Sequence, residues 1–435
     1  MNFVDMLMYY ARANPEKQAI ILVDRILNFG MVASGIRSAE TAIAEASLEP
    51  RHTVAVRIDN QARHLIVVSA LYRLGIVSVS VTGRYDLDQA GVKVDAVISD
   101  KNEPMPAFGR LVPLRDDWFT RDYDPSALRP EGFRSEDQLA RIIMSSGTTA
   151  APKAIGMSAR VVEDRIITGR RALALAPWDR MMCLPVLTSS YGFGAALQAL
   201  AYGHSVVFAD TATDALQMIA LYCPDLLVAN PQHLQLMIAQ QRETPVPTSS
   251  LRLIKTAGNA MPPHIVPDVR ARLCKDVLCV YSSTESGPIA FSHVDHLEEP
   301  GTTGFVAFWV TAEVVGPDEK PVPHGAEGRL RVRTQWQGYH MREGPEAATR
   351  WMYPGDIASI ADDGMLTLVG RVADVINLDG IFISPVKSDI GANPALPPKR
   401  RCGVHSPMSA LGISGHMQCT TPCLLRAKSG HRSIR

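Results

Sequence analysis

Short apolar runs alternate with segments of helical periodicity through the first half of the chain. Residues 53–58 and 76–81 are β-branched runs typical of strands, and the apolar segment 62–74 between them has the length and spacing of a helix. The same rhythm returns at 205–208 and 225–229. This alternation predicts βαβ units around a largely parallel sheet, and therefore an α/β fold class.

From about residue 304 the pattern changes. Residues 306–315, 328–334 and 365–369 look like strands, and turn sequences rich in Gly, Asp and Pro separate them. The sequence therefore predicts a smaller β-rich unit at about residues 304–370, after the α/β body.

The pattern changes again after Pro385. Residues 386–435 contain Pro-Pro, Lys-Arg-Arg, scattered Ser and Gly, and three of the seven cysteines. They show no sustained helical or strand period. We expect an aberrant, poorly ordered tail over these residues.

Charge and cysteine content narrow the class of protein. The 44 Lys and Arg residues balance the 44 Asp and Glu residues, so the net charge gives no basis for nucleic acid or an anionic membrane as partner. The apolar runs, such as 65–72, are too short to span a bilayer, and the first ten residues lack the features of a signal peptide. Seven cysteines without a Cys-x-x-Cys pair disfavour a disulfide scaffold or a zinc site. A reduced, cytoplasmic protein is the expectation.

The most distinctive chemistry lies in residues 144–153, Met-Ser-Ser-Gly-Thr-Thr-Ala-Ala-Pro-Lys, which follow the apolar strand candidate 139–144. Such a loop can offer backbone N–H groups, Ser and Thr hydroxyls and one lysine to a polyphosphate. It lacks the glycine and lysine spacing of a Walker A loop. Taken alone, the segment is equally compatible with a solvated turn.

Three later segments carry residue types suited to a nucleotide. Residues 281–285, Tyr-Ser-Ser-Thr-Glu, combine an aromatic ring that suits a purine with a carboxylate that suits Mg²⁺. Residues 257–262 form a Gly-containing turn between two strand candidates. Residues 353–356, Tyr-Pro-Gly-Asp, end in a carboxylate that can accept hydrogen bonds from ribose hydroxyls. Each segment on its own could be an ordinary strand end or turn.

In this order and spacing, these segments and residues 364–371 resemble the adenylate-forming (AMP-binding) superfamily of acyl-CoA synthetases, luciferases and peptide-synthetase adenylation domains. The resemblance runs from about residue 3 to residue 385. It implies the large N-terminal domain of that superfamily at residues 1–370, with two α/β subdomains containing mostly parallel sheets and one smaller β-rich subdomain. It also implies a hinge and the start of a C-terminal domain at residues 371–385, with most of that domain missing.

The resemblance also assigns a nucleotide site. It implies that Tyr281 stacks on adenine, that Asp356 hydrogen-bonds the ribose, and that Arg371 faces the ribose and phosphates. It places Thr284 at the α-phosphate and Glu285 at Mg²⁺.

The phosphate loop receives the remaining nucleotide contacts by the same resemblance. Its implied ATP-binding residues are Ser145, Ser146, Gly147, Thr148, Thr149 and Lys153, with Thr148 also near the metal. Catalysis is assigned to Lys153, Thr284, Glu285 and Arg371.

The acid pocket is assigned to two segments. Gly258 corresponds to a glycine that lines both the adenine and acyl sites in the superfamily. Tyr191, Gly192 and Phe193 occupy the position of a segment that lines the acyl site. Ordinary core packing at the start of a helix is the competing interpretation of these three residues.

Two kinds of departure from the superfamily stand out. Ala150 and Ser282 replace glycines, which puts the usual shape of both loops in question. The lysine that the C-terminal domain normally brings to the reacting carboxylate has no counterpart, because His431 stands at the one faintly similar position. We therefore expect slow adenylation and poor thioester formation.

The implied function is ATP-dependent activation of a carboxylic acid to an acyl-adenylate, with release of pyrophosphate and later transfer to a thiol such as CoA. ATP and Mg²⁺ are the implied cofactors. Two alternatives stay open: a crippled or non-catalytic nucleotide-binding homologue, and a stand-alone adenylation domain that loads a carrier protein. The sequence does not identify the acid, the acceptor or the oligomeric state.

Overall fold

The computed structural model describes residues 2–82, 87, 90–101, 109–120, 132–145, 153–172, 177–296, 301–372, 376–378 and 381–383. Four predicted phosphate-loop residues lie outside these ranges, namely Ser146, Gly147, Thr148 and Thr149. The predicted tail at residues 386–435 also lies outside them, as do residues 373–375, 379–380 and 384–385 of the predicted hinge.

Several α-helices begin at a polar residue that caps their first turn. Asn2, Asn60 and Asn230 each accept a hydrogen bond from the backbone N–H three residues later, which satisfies a free donor of the first turn. The helices are α1 (Phe3–Ala13), α2 (Phe29–Glu45), α3 (Gln61–Arg73), α4 (Ala159–Ala172), α5 (Ser190–Ala201), α6 (Ala212–Tyr222), α7 (Pro231–Glu243) and α8 (Val266–Arg272). Short 3₁₀ helices cover Asp116–Phe119, Pro263–Ile265, Val294–His296 and Pro345–Thr349. Within the described ranges, no helix is long and apolar enough to cross a bilayer.

The strands are short and mostly apolar. In the first part of the chain they are β1 (Gln18–Ile21), β2 (Ile26–Asn28), β3 (Thr53–Arg57), β4 (Val77–Ser80), β5 (Ala96–Ser99), β6 (Arg110–Pro113), β7 (Leu139–Ser145), β8 (Lys153–Ser158), β9 (Arg180–Cys183), β10 (Ser205–Val207), β11 (Leu226–Ala229), β12 (Leu253–Ala257) and β13 (Val277–Ser283). They continue as β14 (Gly287–His293), β15 (Thr302–Val306), β16 (Val310–Val315), β17 (Gly328–Thr334), β18 (Tyr339–His340), β19 (Asp356–Ile360), β20 (Met365–Arg371), β21 (Ile376–Leu378) and β22 (Ile381–Ile383).

The larger sheet has the strand order β16-β17-β19-β20-β15-β14-β13-β12-β11-β9-β10-β1-β2. Its central stretch from β1 to β13 is parallel, whereas the pairs from β13 through β14, β15, β20, β19, β17 and β16 are antiparallel. The β-rich strands after residue 301 are therefore hydrogen-bonded to the edge of the parallel sheet through β14 and β15.

The second sheet has the order β18-β8-β7-β4-β3-β5-β6, and its pairs from β7 to β6 are parallel. The largest apolar core combines residues of both sheets with residues of α1 to α5. Helices α6, α7 and α8 cover the opposite face of the larger sheet. This mixed α/β architecture confirms the predicted fold class.

The predicted single strand at residues 306–315 is wrong in detail. The chain turns between β15 and β16, because the Ala307 N–H donates to the Ile289 carbonyl and the Val310 N–H donates back to the Ala307 carbonyl, both at 2.9 Å. The turn projects Phe308, which is 85 % exposed. An unbroken apolar run concealed this turn from the sequence pattern.

Candidate nucleotide and acid site

The carboxyl ends of four neighbouring parallel strands define the site. Strands β9, β11, β12 and β13 point the same way, so the residues that follow them meet at one edge of the sheet. Gly258 follows β12 with a φ of +97°, a conformation that side chains rarely adopt. Tyr281 lies on β13 near its carboxyl end. The edge is where α/β folds of this kind usually bind ligands.

Three residues that were predicted to bind the nucleotide come from three different strands and are in contact. The Tyr281 hydroxyl donates to Oδ2 of Asp356, the first residue of β19. Arg371, opposite Asp356 on β20, places its Nε 2.9 Å from Asp356 Oδ1. The structure therefore brings together the residues that were predicted to contact adenine and ribose.

Burial sets the electrostatics of this cluster. Asp356 is 4 % exposed, and burial raises the pKa of its carboxyl, an effect that the Tyr281 hydroxyl and the Arg371 guanidinium only partly offset. Burial and the neighbouring Asp356 also raise the pKa of Tyr281, so its phenol stays protonated and can donate. An ionised carboxylate has about four lone-pair sites, so Asp356 retains acceptor capacity for further donors.

Glu285 lies in the turn between β13 and β14 and not at the start of a helix. Its side chain is 16 % exposed, and the Nε2 of His340 lies 3.7 Å from its Oε1, which exceeds hydrogen-bond distance. His340 sits on β18, where it pairs with Ile155 of β8. Lys153, the first residue of β8, is two residues from Ile155, roughly 7 Å along the strand. The arrangement brings the Glu285 turn close to the strand that carries Lys153.

Arg165 of α4 holds the Thr284–Glu285 turn, and the sequence patterns did not reveal this role. Its Nη1 donates to the Thr284 carbonyl at 2.9 Å, and its Nη2 donates to the Glu285 carbonyl at 2.6 Å. Nε and Nη2 also donate to the Trp336 carbonyl, at 2.9 and 2.7 Å. Burial lowers the pKa of Arg165 to about 10. The guanidinium therefore remains charged and fixes the backbone on both sides of the turn.

Of the predicted phosphate loop, the structure describes only the two end residues, Ser145 and Lys153. Ser145 ends β7 and is opposite Lys153 at the start of β8, so residues 146–152 connect two antiparallel strands. Lys153 is exposed. The roles assigned to Ser145 and Lys153 stay predictions.

Three of the four predicted acid-pocket residues, Tyr191, Gly192 and Phe193, lie in the first turn of α5. Ser189 caps this helix by accepting from the Gly192 N–H at 3.0 Å. A Cβ on Gly192 would lie 2.3 Å from the Pro185 carbonyl oxygen, so only glycine fits there. The Tyr191 hydroxyl donates to the Lys255 carbonyl at 2.9 Å. These contacts tie α5 to the carboxyl ends of the parallel strands.

Two buried cations flank these aromatic residues. The Arg141 guanidinium carbon lies 3.5 Å from the centroid of the Phe193 ring, and the Lys255 Nζ lies 5.5 Å from that of Tyr191. Arg141 is 1 % exposed and Lys255 is 8 % exposed. The available signal was a single charged residue inside each apolar strand, at Leu139–Ser145 and at Leu253–Ala257.

Comparison with known proteins places this geometry in a family. A family model described as AMP-binding enzyme matches residues 8–340, which is more than half of the chain. The chain belongs to the AMP-binding enzyme family. Membership confirms the resemblance inferred from the motifs, and it confirms the predicted class of enzyme, an ATP-dependent ligase that activates a carboxylic acid.

Two curated relatives match over most of their length. The 4-hydroxybenzoate–CoA/benzoate–CoA ligase of Rhodopseudomonas palustris is 26 % identical, with 88 % of this chain and 77 % of the relative covered. The 2-succinylbenzoate–CoA ligase of Bacillus subtilis is 22 % identical, with 90 % and 82 % covered.

Solved structures share the fold. The O-succinylbenzoate CoA synthetase of Bacillus subtilis, in complex with ATP and magnesium ion, has a TM-score of 0.77 at 21 % identity, with 90 % of this chain and 85 % of that chain covered. The anthranilate CoA ligase AuaEII in complex with anthranoyl-AMP has a TM-score of 0.77 at 19 % identity, with 89 % and 80 % covered.

The surroundings of Glu285 are compatible with a role as a magnesium ligand. No cation lies within hydrogen-bond distance of its carboxylate among the described residues, so its oxygens remain available to a hard cation. The described ranges contain no group of three or more His, Cys, Asp or Glu side chains that could form a metal cage. Mg²⁺ is commonly held by one or two carboxylates together with substrate phosphates. Glu285 therefore suits an ion that arrives with ATP.

Proposed function

We propose that the chain uses ATP to convert an aromatic carboxylic acid into an acyl-adenylate, with release of pyrophosphate, and then transfers the acyl group to CoA. The observation that carries this proposal is the contact of Tyr281, Asp356 and Arg371, which come from three separate strands, beside the turn that holds Glu285. Relatives that match along nearly nine-tenths of this chain are CoA ligases named for aromatic acids, which supports the choice of acid and acceptor.

The nucleotide takes its orientation from the Tyr281 cluster. The Tyr281 ring offers an aromatic face to adenine, while its hydroxyl stays bound to Asp356. The remaining lone pairs of Asp356 accept from the vicinal ribose hydroxyls, and Arg371, whose side chain is half exposed, reaches toward ribose and phosphate. Because hydrogen bonds and an ion pair already hold these three side chains together, the cluster needs little rearrangement when ATP binds.

The chemical step is an in-line displacement at the α-phosphorus. A carboxylate oxygen of the acid forms a bond to phosphorus, and the bond to the pyrophosphate leaving group breaks. Lys153, Arg371 and the Thr284 hydroxyl stabilise the charge that builds on the phosphoryl oxygens and the leaving group. When bound, Mg²⁺ supplies further charge neutralisation of the phosphates, and Glu285 is the residue that would hold it.

The acid lies between α5 and the carboxyl end of β12. Tyr191 and Gly258 line this space, whereas the Phe193 ring of the same helix turn packs against the Arg141 guanidinium. Gly192 allows the α5 backbone to approach the Pro185 carbonyl closely. Tyr191 is fixed by its bond to the Lys255 carbonyl, so its ring has a defined position against a planar substrate.

The proposal is tested by exchange of labelled pyrophosphate into ATP, with benzoate, 4-hydroxybenzoate, phenylacetate and octanoate supplied one at a time. We expect exchange that depends on an aromatic acid. Lys153→Ala and Glu285→Ala should each lower it about hundredfold or more. The matched controls Lys320→Ala and Glu243→Ala, at exposed positions, should leave it unchanged. ATP binding without exchange for any acid would contradict the proposal and favour a non-catalytic homologue.

The acceptor is tested separately, with an acid that supports exchange. Product formation with CoA is compared with that on a phosphopantetheinylated carrier protein at equal thiol concentration. Slow formation of acyl-CoA, without acylation of the carrier protein, is the expected outcome. Acylation of the carrier protein without acyl-CoA would replace CoA by a carrier in the proposed reaction.

A further inference from the structure

Lys255 is a charged residue in the middle of a fully buried strand. All five residues of β12 are buried, and Lys255 is 8 % exposed. Leu253 and Ala257, two positions before and after it, belong to the core that packs against α5. Because alternate residues of a strand face the same side, the Lys255 side chain lies on the face of the sheet that meets α5. This is the face on which the proposed acid pocket lies.

The ammonium group of Lys255 has a π-face as neighbour but no anion. Its Nζ lies 5.5 Å from the centroid of the Tyr191 ring. The nearby thiol of Cys183 supplies no counter-charge, because burial raises its pKa to about 12. No carboxylate forms an ion pair with Lys255, and no acceptor is hydrogen-bonded to its Nζ, in the part of the chain that the structure describes. Burial lowers the pKa of Lys255 to about 8, so the group is still largely protonated at neutral pH.

The position of Lys255 along its strand places the cation away from the reaction centre. Gly258 follows β12 at the edge where Tyr281 and the Glu285 turn lie. Lys255 precedes Gly258 by three residues, which is roughly 10 Å along a strand. A planar acid whose reacting carboxylate faces the nucleotide therefore directs its opposite end toward Lys255.

We propose that Lys255 determines substrate specificity by binding an oxygen acceptor, either a hydroxyl or a second carboxylate, at the end of the aromatic acid opposite the reacting carboxyl group. The inference rests on the proposed function, because it uses Tyr191 and Gly258 as walls of the acid pocket. A substrate acceptor would supply the partner that the Lys255 ammonium lacks in the described residues. An aromatic ring between the two groups would at the same time pack against the Tyr191 ring.

The test compares three acids of one shape: benzoate, 4-hydroxybenzoate and terephthalate. Affinity for each is measured by calorimetry, which requires no turnover, and kcat/KM is measured by pyrophosphate exchange. The wild-type chain should bind at least one of the two 4-substituted acids tenfold or more tightly than benzoate. Lys255→Met, which keeps length and removes charge, should abolish that preference and leave benzoate affinity unchanged or improved. The exposed control Lys275→Met should retain the wild-type preference.

The outcomes separate this inference from the proposed function. A preference that depends on Lys255, without any exchange, would support the specificity role while refuting catalysis. Exchange at equal kcat/KM for all three acids would support catalysis and overturn the specificity role. Equal affinities in the wild-type chain would overturn it even if Lys255→Met failed to fold, as would binding of none of the three acids.

Discussion

Replacement of Arg165 tests whether the Thr284–Glu285 turn must be held for nucleotide binding. Arg165→Met would remove four hydrogen bonds to three backbone carbonyls. The Glu285 carbonyl would still accept a hydrogen bond from the Gly338 N–H at 2.7 Å. The Thr284 and Trp336 carbonyls would lose the hydrogen bonds that Arg165 donates to them. The turn would then be attached on one side only.

The expected effect on stability is small because two contributions oppose each other. Two unpaired carbonyls cost about 4 kcal/mol together. Removal of a buried guanidinium whose pKa has been lowered to about 10 returns roughly 3 kcal/mol. We therefore expect Arg165→Met to lower the free energy of unfolding by about 1 kcal/mol. The larger effect should fall on the turn, where loss of alignment worth about 1.4 kcal/mol would weaken MgATP binding tenfold.

The assay combines chemical denaturation with calorimetric titration of MgATP. Arg165→Lys, which keeps the charge but has one nitrogen in place of the planar fork, should lie between the wild type and Arg165→Met. Arg350→Met, at an exposed position, is the matched control. MgATP affinity within twofold of the wild type in a folded Arg165→Met protein would refute the positioning role. So would a loss of affinity that merely parallels unfolding.

Two further predictions concern buried carboxyl groups. Asp356→Asn should raise the KM for ATP at least tenfold with little change in the KM for the acid, because it removes the ionised acceptor that Arg371 contacts at 2.9 Å; steady-state exchange kinetics check this. Burial raises the pKa of Glu40 to about 7 despite the Arg73 ion pair at 2.6 Å. The folded state therefore holds a proton that the unfolded state has lost, and stability should fall by up to roughly 3 kcal/mol as pH rises from about 4.5 through 7. Glu40→Gln should flatten this slope in denaturation curves taken across that pH range.

Much of the site could be predicted because its residues occupy ordered motifs. Tyr281 and Asp356 are 75 residues apart, yet Tyr281 lies near the end of β13 and Asp356 begins β19, and the sheet topology brings these two strand ends together. The parallel sheets were predictable because alternating helices and strands leave few other arrangements. The sequence could not predict that the β-rich strands continue the parallel sheet. This continuity depends on the pairing of Ala290 with Val306, and no local pattern specifies such a pair.

The contacts of the buried cations could not be predicted for a different reason. Arg165 binds carbonyls that lie 119 to 171 residues away, and a backbone carbonyl has no residue type to recognise in a sequence. Lys255 interrupts an apolar strand, but sequence alone does not distinguish a charge turned to solvent from one turned into the core. Tertiary packing decides both cases.

The internal partners of the three buried cations indicate which one remains available to a ligand. Arg165 uses Nε and both Nη atoms on backbone carbonyls. Arg141 uses its two Nη atoms on the hydroxyls of Ser78 and Ser80, and only its Nε lacks a partner in the described residues. The Lys255 Nζ, with three N–H donors, has no hydrogen-bond acceptor there and lies 5.5 Å from the centroid of the Tyr191 ring. A ligand can gain a hydrogen bond only from a cation whose donors the protein has left unused. By this reasoning Arg165 and Arg141 maintain the framework, and Lys255 is the cation through which the pocket would distinguish one acid from another.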